Sequence, residues 1–289
     1  MLMSHLERLP RKRTYLMCPP EHFTVEYAIN PWMDTSVAVD AGRALAQWES
    51  LRSTLINLGH VVHVLDPRPG LPDMVYSANG AFSVDGTVYG ARFLYPQRAD
   101  EAVAHRSFYE TAGSWKFFAP EHVNEGEGDF AYLPAAYGGI VLAGYGFRTD
   151  PAAHAEAQEV LGRPVISLRL VDPAFYHLDT ALAALDDRHV TYYPGAFSPA
   201  SQQVLAQLFP DAVLADRADA EAFGLNLVSD GRHVILNTDA IGMGRKVRDA
   251  GYQPVHVDLS ELKRGGGSVK CAVAELRTGG DAGLAGAQR

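Results

Sequence analysis

Residues 80–92 read Gly80-Ala81-Phe82-Ser83-Val84-Asp85-Gly86-Thr87-Val88-Tyr89-Gly90-Ala91-Arg92. Two β-rich runs flank Asp85-Gly86, and Asp-Gly in that setting is a strong hairpin signal. A helix is expected next over Arg98–Thr111, its start allowed by Pro96. The same grammar extends in both directions. Thr35–Gly59 reads as a helix, with Val39, Leu45, Trp48, Leu51 and Leu55 at helical spacing and Gly59 as a stop. Val61–Leu65 reads as a buried strand. Downstream, Ile140–Gly144, Pro164–Leu170, Val190–Tyr193 and Val255–Asp258 read as strands. Pro151–Leu161, Pro199–Phe209 and Ile241–Ala250 read as helices. Leu225–Val228 and His233–Leu236 read as a second hairpin around Ser229-Asp230-Gly231-Arg232. The order strand, hairpin, helix, strand recurs without a clean sequence repeat, so one mixed α/β domain over residues 1–289 is expected. Its core spans about 14–276, and the Gly/Ala-rich residues 277–289 form a mobile tail.

Composition narrows the function classes. The chain has 289 residues and a formal net charge of −9. An acidic surface repels phosphate backbones, so no nucleic-acid partner is expected, and Arg11-Lys12-Arg13 reads as a solvated tail. Cys18 and Cys271 cannot build a disulfide framework, which suits a reducing cytoplasm. No apolar run precedes the polar stretch Glu7–Thr14, so no signal peptide is read. The longest uncharged run, Phe130–Phe147, carries Pro134, Gly138, Gly139, Gly144 and Gly146. That punctuation suits two strands around a turn, not a membrane helix.

Three segments could carry chemistry. Cys271 follows Lys263-Arg264-Gly265-Gly266-Gly267-Ser268-Val269-Lys270. The glycines permit close backbone approach to a ligand, and the basic neighbours would favour a thiolate. A buried inert cysteine is the competing reading, and it is the preferred one for Cys18. His177 and Asp179, in Phe175-Tyr176-His177-Leu178-Asp179-Thr180, would share a face if that segment is extended. Asp179 could equally be a helix cap. Glu125-Gly126-Glu127-Gly128-Asp129 interleaves three carboxylates with glycines, as a solvated acidic loop or as a pocket for a cation. Its spacing lacks the EF-hand pattern. HExxH, GxxxxGK[ST], CxxC pairs and GxSxG are all missing.

Taken in order, these segments resemble the guanidino-group-modifying (pentein) superfamily: arginine deiminases, arginine dihydrolases, dimethylarginine dimethylaminohydrolases and amidinotransferases. Met17-Cys18-Pro19-Pro20, the run from Phe23 to Met33, Asp73-Met74-Val75-Tyr76-Ser77-Ala78-Asn79-Gly80 and Ala91-Arg92-Phe93 to Arg98 extend the resemblance. It spans residues 15 to 276. It implies a five-bladed α/β propeller of ββαβ units, no metal and no organic cofactor. It also implies roles. Cys271 would attack the guanidinium carbon, and His177 would act as general acid and then base. Glu127 would hold substrate nitrogens and balance the imidazolium, while the choice between Glu125 and Glu127 rests on the motif alone. Asn30, Asn79, Arg98, Asp129 and Asp179 would line the pocket, with Arg98 facing the substrate α-carboxylate.

A flat guanidinium cation suits paired carboxylate hydrogen bonds, and a thiolate can add to its carbon. The expected partner is therefore a small guanidino molecule, with no nucleic acid and no membrane, and the oligomeric state is left open. Dimethylarginine hydrolases typically carry Lys where this chain has Asp179. A carboxylate there binds an unsubstituted nitrogen, and methylation would leave it unpaired at ~1–3 kcal/mol. Asn79 resembles the dihydrolases. The expectation is therefore L-arginine hydrolysis to ornithine, ahead of citrulline, with dimethylarginine as the alternative and amidinotransfer behind it. Propellers of this type that bind ribosomal particles lack catalytic groups, whereas here the Cys, His and Glu set is complete. A Ca²⁺-binding role would rest on the acidic loop alone.

Overall fold

The computed structural model describes residues 8–279. Among them, fifteen strands form five separate three-stranded sheets. The first unit begins with β1 (Thr14–Met17), crosses through helix α1 (Ala41–Asn57) and returns as β2 (Val61–Val64), parallel to β1. The second is the expected hairpin, β3 (Ala81–Val84) and β4 (Thr87–Gly90), followed by α2 (Glu101–Ala112) and β5 (Lys116–Phe118) parallel to β4. Asp85 and Gly86 both take positive φ, 48° and 83°, as a tight right-twisting turn demands. The third unit is β6 (Phe130–Leu133), β7 (Ile140–Tyr145), α3 (Ala152–Leu161) and β8 (Val165–Arg169). The fourth is β9 (Leu182–Ala184), β10 (Val190–Tyr192), α4 (Pro199–Leu208) and β11 (Val213–Leu214), followed by the short α5 (Arg217–Glu221). The fifth is β12 (Val228–Ser229), β13 (His233–Asn237), α6 (Ile241–Asp249) and β14 (Gln253–Val257). The last strand, β15 (Ala274–Glu275), pairs antiparallel with β1 and supplies the missing hairpin partner of the first unit. Both ends of the chain therefore close one sheet, and the ring of ββαβ units is complete.

The helices pack by amphipathic faces. In α1, Ala44, Trp48, Leu51 and Leu55 are buried and Asp40 caps the first turn by accepting from the Arg43 amide. Several local expectations change. The helix expected from Thr35 begins at Ala41, and Leu45, expected on its apolar face, is exposed. The strand after α1 lies at its sheet's edge, with Val61 and Val64 exposed rather than buried. The hairpin strand expected from Leu225 starts only at Val228, because Asn226 is drawn into the centre of the ring. Arg277, read as the start of the tail, is packed, with its amide donating to Ser83 Oγ at 3.0 Å. The remainder of that tail, 280–289, lies outside the described residues. Among the described residues no helix is long and apolar enough to cross a membrane.

Leu51 is fully buried between α1 and its sheet. Leu51→Ala should lower stability by about 2–5 kcal/mol through the cavity it leaves, measured as a fall in the chemical denaturation midpoint at unchanged slope.

Candidate active site

Each unit places a short turn just ahead of its first hairpin strand, and those turns converge. Ser77–Gly80 precedes β3 and carries Asn79; Gly126–Gly128 precedes β6 beside Glu125 and Asp129. Leu178–Thr180 precedes β9 between His177 and Ala181, and Cys271 lies three residues ahead of β15. The segment before Cys271 can pass this close because residues 265–267 lack side chains. Gly266 sits at φ +86°, and a Cβ there would come within 2.6 Å of the Asn30 carboxamide.

Cys271 is buried, and its sulfur donates to Asp179 Oδ2 at 3.2 Å. Burial and the Asp179 carboxylate together push its thiol well above the ordinary range. This reverses the expectation of a thiolate favoured by neighbouring cations. Lys263 pairs with Asp239, Arg264 with Glu261 at 3.0 Å, and Lys270 with Glu127 at 2.6 Å. Each is satisfied by an anion, so the resting sulfur is protonated. Cys18 is also buried, with its thiol pushed up by burial, as an inert core residue.

The carboxylate at the imidazole is Glu125, not Glu127. His177 Nε2 lies 2.8 Å from Glu125 Oε2, and Arg148 Nη1 reaches the same oxygen at 2.8 Å. Burial opposes the charge on Glu125, yet Arg148 and the His177 hydrogen bond hold its carboxyl well below the usual range. An ionised Glu125 only accepts, so the proton sits on Nε2. The other nitrogen, Nδ1, lies over Gly128, where an added Cβ would stand 3.3 Å from it. Glu127 turns the other way. It accepts from Lys270 at 2.6 Å and from the Glu275 amide at 2.9 Å, and it pairs with Arg277. The single residue between the two glutamates sends them to opposite sides of the turn, which is why spacing alone left the choice open.

His177 and Asp179 do not share a face either. His177 is extended, but the turn over Leu178–Thr180 sends Asp179 to the sulfur while the ring goes to Glu125. Asp129 holds this turn from below: it accepts from the Leu178 amide at 3.0 Å and from Thr149 Oγ1 at 2.7 Å. Burial raises its pKa to about 6. Asn79 accepts from Arg98 Nη1 at 3.0 Å and donates to the Glu125 carbonyl at 3.3 Å. Arg98 in turn forks onto Glu101 at 2.9 and 2.8 Å. Asn30 donates to the Gly265 carbonyl at 3.0 Å and accepts from the Trp32 amide at 2.9 Å.

A narrow cavity is lined by Asn30, Asp73, Asn79, Arg98, Arg148 and Cys271, among others. A wider cavity of about 320 Å³ reaches Asp179, Glu127 and Lys270 but not Cys271. The narrow one holds the nucleophile candidate and both arginines, so the chemistry is assigned there. Two carboxylate oxygens are buried with no hydrogen-bond donor: Asp73 Oδ1, on a residue that lines this cavity, and Asp179 Oδ1, on the carboxylate that meets the Cys271 sulfur. Such atoms are costly unless a donor arrives. Burial raises the Asp179 pKa to about 6 and also raises that of Asp73. Five buried carboxyl groups, Asp73, Glu101, Glu125, Asp129 and Asp179, face two arginines and one histidine. A cation carrying several N–H donors is what this arrangement lacks.

Asp73, Arg148, Tyr176 and Asn226 belong to the site without having been singled out in the sequence. Asp73 stands within a quoted motif, and its run of polar and small residues was the available signal. Arg148 sits alone after Gly146-Phe147. Only the fold brings it to Glu125 and stacks it between Tyr95 and Tyr176, with its guanidinium carbon 4.8 and 4.7 Å from the ring centres.

No protein-family model matches the chain. It is similar to the N(G),N(G)-dimethylarginine dimethylaminohydrolase of Mycobacterium tuberculosis, 54% identical over 275 residues covering 95% of this chain and 89% of that protein. It is also similar to the bifunctional arginine dihydrolase/ornithine cyclodeaminase ArgZ of Synechocystis, 33% identical over 89% of this chain and 36% of that protein. The chain thus spans about a third of the length of that relative. The N-terminal domain of ArgZ, solved with substrate bound, matches with a TM-score of 0.87 at 31% identity, covering 92% of this chain and 99% of that one. A dimethylarginine dimethylaminohydrolase solved as an adduct shares the fold, with a TM-score of 0.74 at 17% identity over 92% of this chain and 100% of that one.

Glu125→Gln and Glu127→Gln should separate the two glutamates. The first leaves buried Arg148 and the imidazole without their anion, and turnover should fall by roughly 100-fold or more. The second should cost mainly stability, by up to about 3–5 kcal/mol, because Lys270 and Arg277 lose their partner. Steady-state kinetics and thermal melts on both variants read this out.

Proposed function

We propose that this chain, which belongs to the guanidino-group-modifying superfamily and is a hydrolase of guanidino C–N bonds, acts on a free arginine-type amino acid through a covalent Cys271 adduct. The observation that carries this is a buried, donor-free oxygen on Asp179, whose other oxygen meets the Cys271 sulfur, together with a second such oxygen on Asp73 in the lining of the cavity that reaches that sulfur. A guanidinium ion supplies N–H donors in the plane such oxygens need. Its arrival also neutralises the charge that keeps the sulfur protonated, so binding and activation of the nucleophile are one event.

As the cation binds, the Cys271 thiol gives its proton to the neutral His177 ring, and the thiolate adds to the central carbon to give a tetrahedral adduct. His177, as imidazolium beside ionised Glu125, protonates the departing nitrogen, which leaves as an amine with the C–N bond electrons. An amidinothio-enzyme remains. Water, deprotonated by His177, adds to the same carbon, and collapse breaks the C–S bond to return the thiol and release the ureido product. Arg98 and Arg148 line the same cavity and suit the substrate α-carboxylate. Two buried free cysteines support a reducing, cytoplasmic setting.

Two substrates fit this chemistry. The 54% identity to a dimethylarginine dimethylaminohydrolase favours release of dimethylamine and citrulline, and it reverses the order expected from residue 179. The second reading is L-arginine hydrolysis to citrulline and ammonia, or, with a second attack by water on the bound ureido carbon, to ornithine, CO₂ and two molecules of ammonia. It is favoured by Asp179 Oδ1, which needs an N–H that a methylated nitrogen does not carry, and by likeness to an arginine dihydrolase. Incubation with each amino acid, with separate assays for dimethylamine, ammonia, citrulline and ornithine, decides between them. Failure to turn over either substrate overturns the proposal.

Cys271→Ser should abolish turnover with the fold retained by circular dichroism. The pH profile of kcat/KM should fall on the acid side with a midpoint near the Asp179 pKa of about 6. Below that pH the carboxyl is neutral and cannot pair with a cation; above it the charge is present. Cationic 2-chloroacetamidine should alkylate Cys271 far faster at neutral pH than uncharged iodoacetamide, with protection by substrate.

A further inference from the structure

The turn ahead of the hairpin in the fifth unit supplies a residue to the centre just as the others do, and that residue is Asn226, two positions before β12. Asn79 stands at the same offset before β3. Asn226 is fully buried. Its Oδ1 accepts from the Ser268 and Cys271 amides, each at 3.1 Å. Two backbone donors on Oδ1 dictate the orientation of the carboxamide, so Nδ2 faces the other way. There it donates to the Cys271 sulfur at 3.1 Å and to the Asp179 carbonyl at 3.1 Å. Its own carbonyl accepts from the Lys270 amide at 3.3 Å.

We infer that Asn226 is the donor that receives the Cys271 thiolate: Nδ2–H holds the sulfur as it becomes an anion, while Oδ1 fixes the loop that carries it against the Asp179 turn. This rests on the reading of Cys271 as nucleophile and adds a residue to that reaction. The Ser268 amide, which Asn226 Oδ1 also holds, favours the anion as well, so Asn226 is the side-chain donor of the pair; the other groups around the sulfur do not favour it. Asp179 accepts the thiol proton, and the Tyr76 and Tyr176 phenols are both committed elsewhere, to the Leu262 carbonyl at 2.6 Å and the Gly266 carbonyl at 2.8 Å. Lys270 is held by Glu127. A donor to an anionic sulfur strengthens as charge develops, so the contact favours the reactive form over the resting thiol. The hydrogen bond from Asn226 works in that direction against burial and Asp179.

The test is the pH dependence of Cys271 alkylation by 2-chloroacetamidine, read by peptide mass mapping so that Cys18 does not contribute. Asn226→Asp keeps the acceptor for both loop amides but turns the donor into a carboxylate beside the sulfur, so a displaced profile supports the inference only if the uncharged Asn226→Ala shows an upward displacement as well. The donor role predicts a profile displaced upward by at least one pH unit, a rate at pH 7 at least tenfold lower, and a melting temperature within a few degrees of the unsubstituted protein. Asn226→Ala removes both functions, and both reactivity and melting temperature should fall. If it does not fold, the uncharged Asn226→Ser, too short to reach the sulfur with its hydroxyl, takes its place. An Asn226→Asp profile that coincides with that of the unsubstituted protein overturns the inference. Retained turnover in Cys271→Ser would instead sink the nucleophile reading, and the alkylation profile would still report on the donor.

Discussion

Two buried carboxylate oxygens lack donors, one on Asp179, whose carboxylate meets the protonated Cys271 sulfur, and one on Asp73, in the wall of the cavity that reaches that sulfur; the ring of units around them holds this uncomfortable arrangement. Each orphan oxygen costs roughly 1–3 kcal/mol in the unliganded protein. The surrounding ββαβ units offset it with closed sheets and four clusters of buried apolar side chains. The strain is electrostatic rather than conformational, and a planar cation with in-plane N–H groups relieves it. In the proposed reaction, binding specificity and nucleophile activation therefore share one source.

The same centre is divided along its length. Arg98 is neutralised by its fork onto Glu101, and Arg148 by Glu125, so neither arginine enters the site as a free charge. Both nevertheless line the cavity that reaches Cys271. A substrate with a carboxylate at one end and a guanidinium at the other would meet arginines at its head and acids at its tail. Glu125 links the two ends, because Arg148 and His177 bind the same oxygen. A change in the charge of the imidazole during turnover would therefore be felt at the arginine.

The identity of the group on the guanidinium is a finer matter than the reaction class. A relative at 54% identity is a dimethylarginine dimethylaminohydrolase, while a dihydrolase domain at 31% identity has nearly the same backbone, with a TM-score of 0.87. Backbone likeness therefore does not discriminate. The discriminator proposed above is one Asp179 oxygen against one dimethylated nitrogen, a difference of a single hydrogen bond in a buried place.

Much of this was legible in the chain before folding. Asp85-Gly86 between apolar runs announces a hairpin because both residues tolerate the positive φ a two-residue turn demands, and helix α1 declares itself by the spacing of Trp48, Leu51 and Leu55. Cys271, His177 and the acidic loop stood out by residue type and by the glycines that free their backbones. What tertiary structure alone decided was orientation. Glu125 and Glu127 are two residues apart in one loop, and the direction each takes depends on Arg148 and Lys270, which arrive from 23 and 143 positions away. The ionisation state of Cys271 likewise follows from Asp179 and from burial, not from the lysines and arginine beside it in the chain. Local pattern encodes turns and periodicity because those are short-range steric properties; the charge a group meets is set by whatever the completed ring places against it.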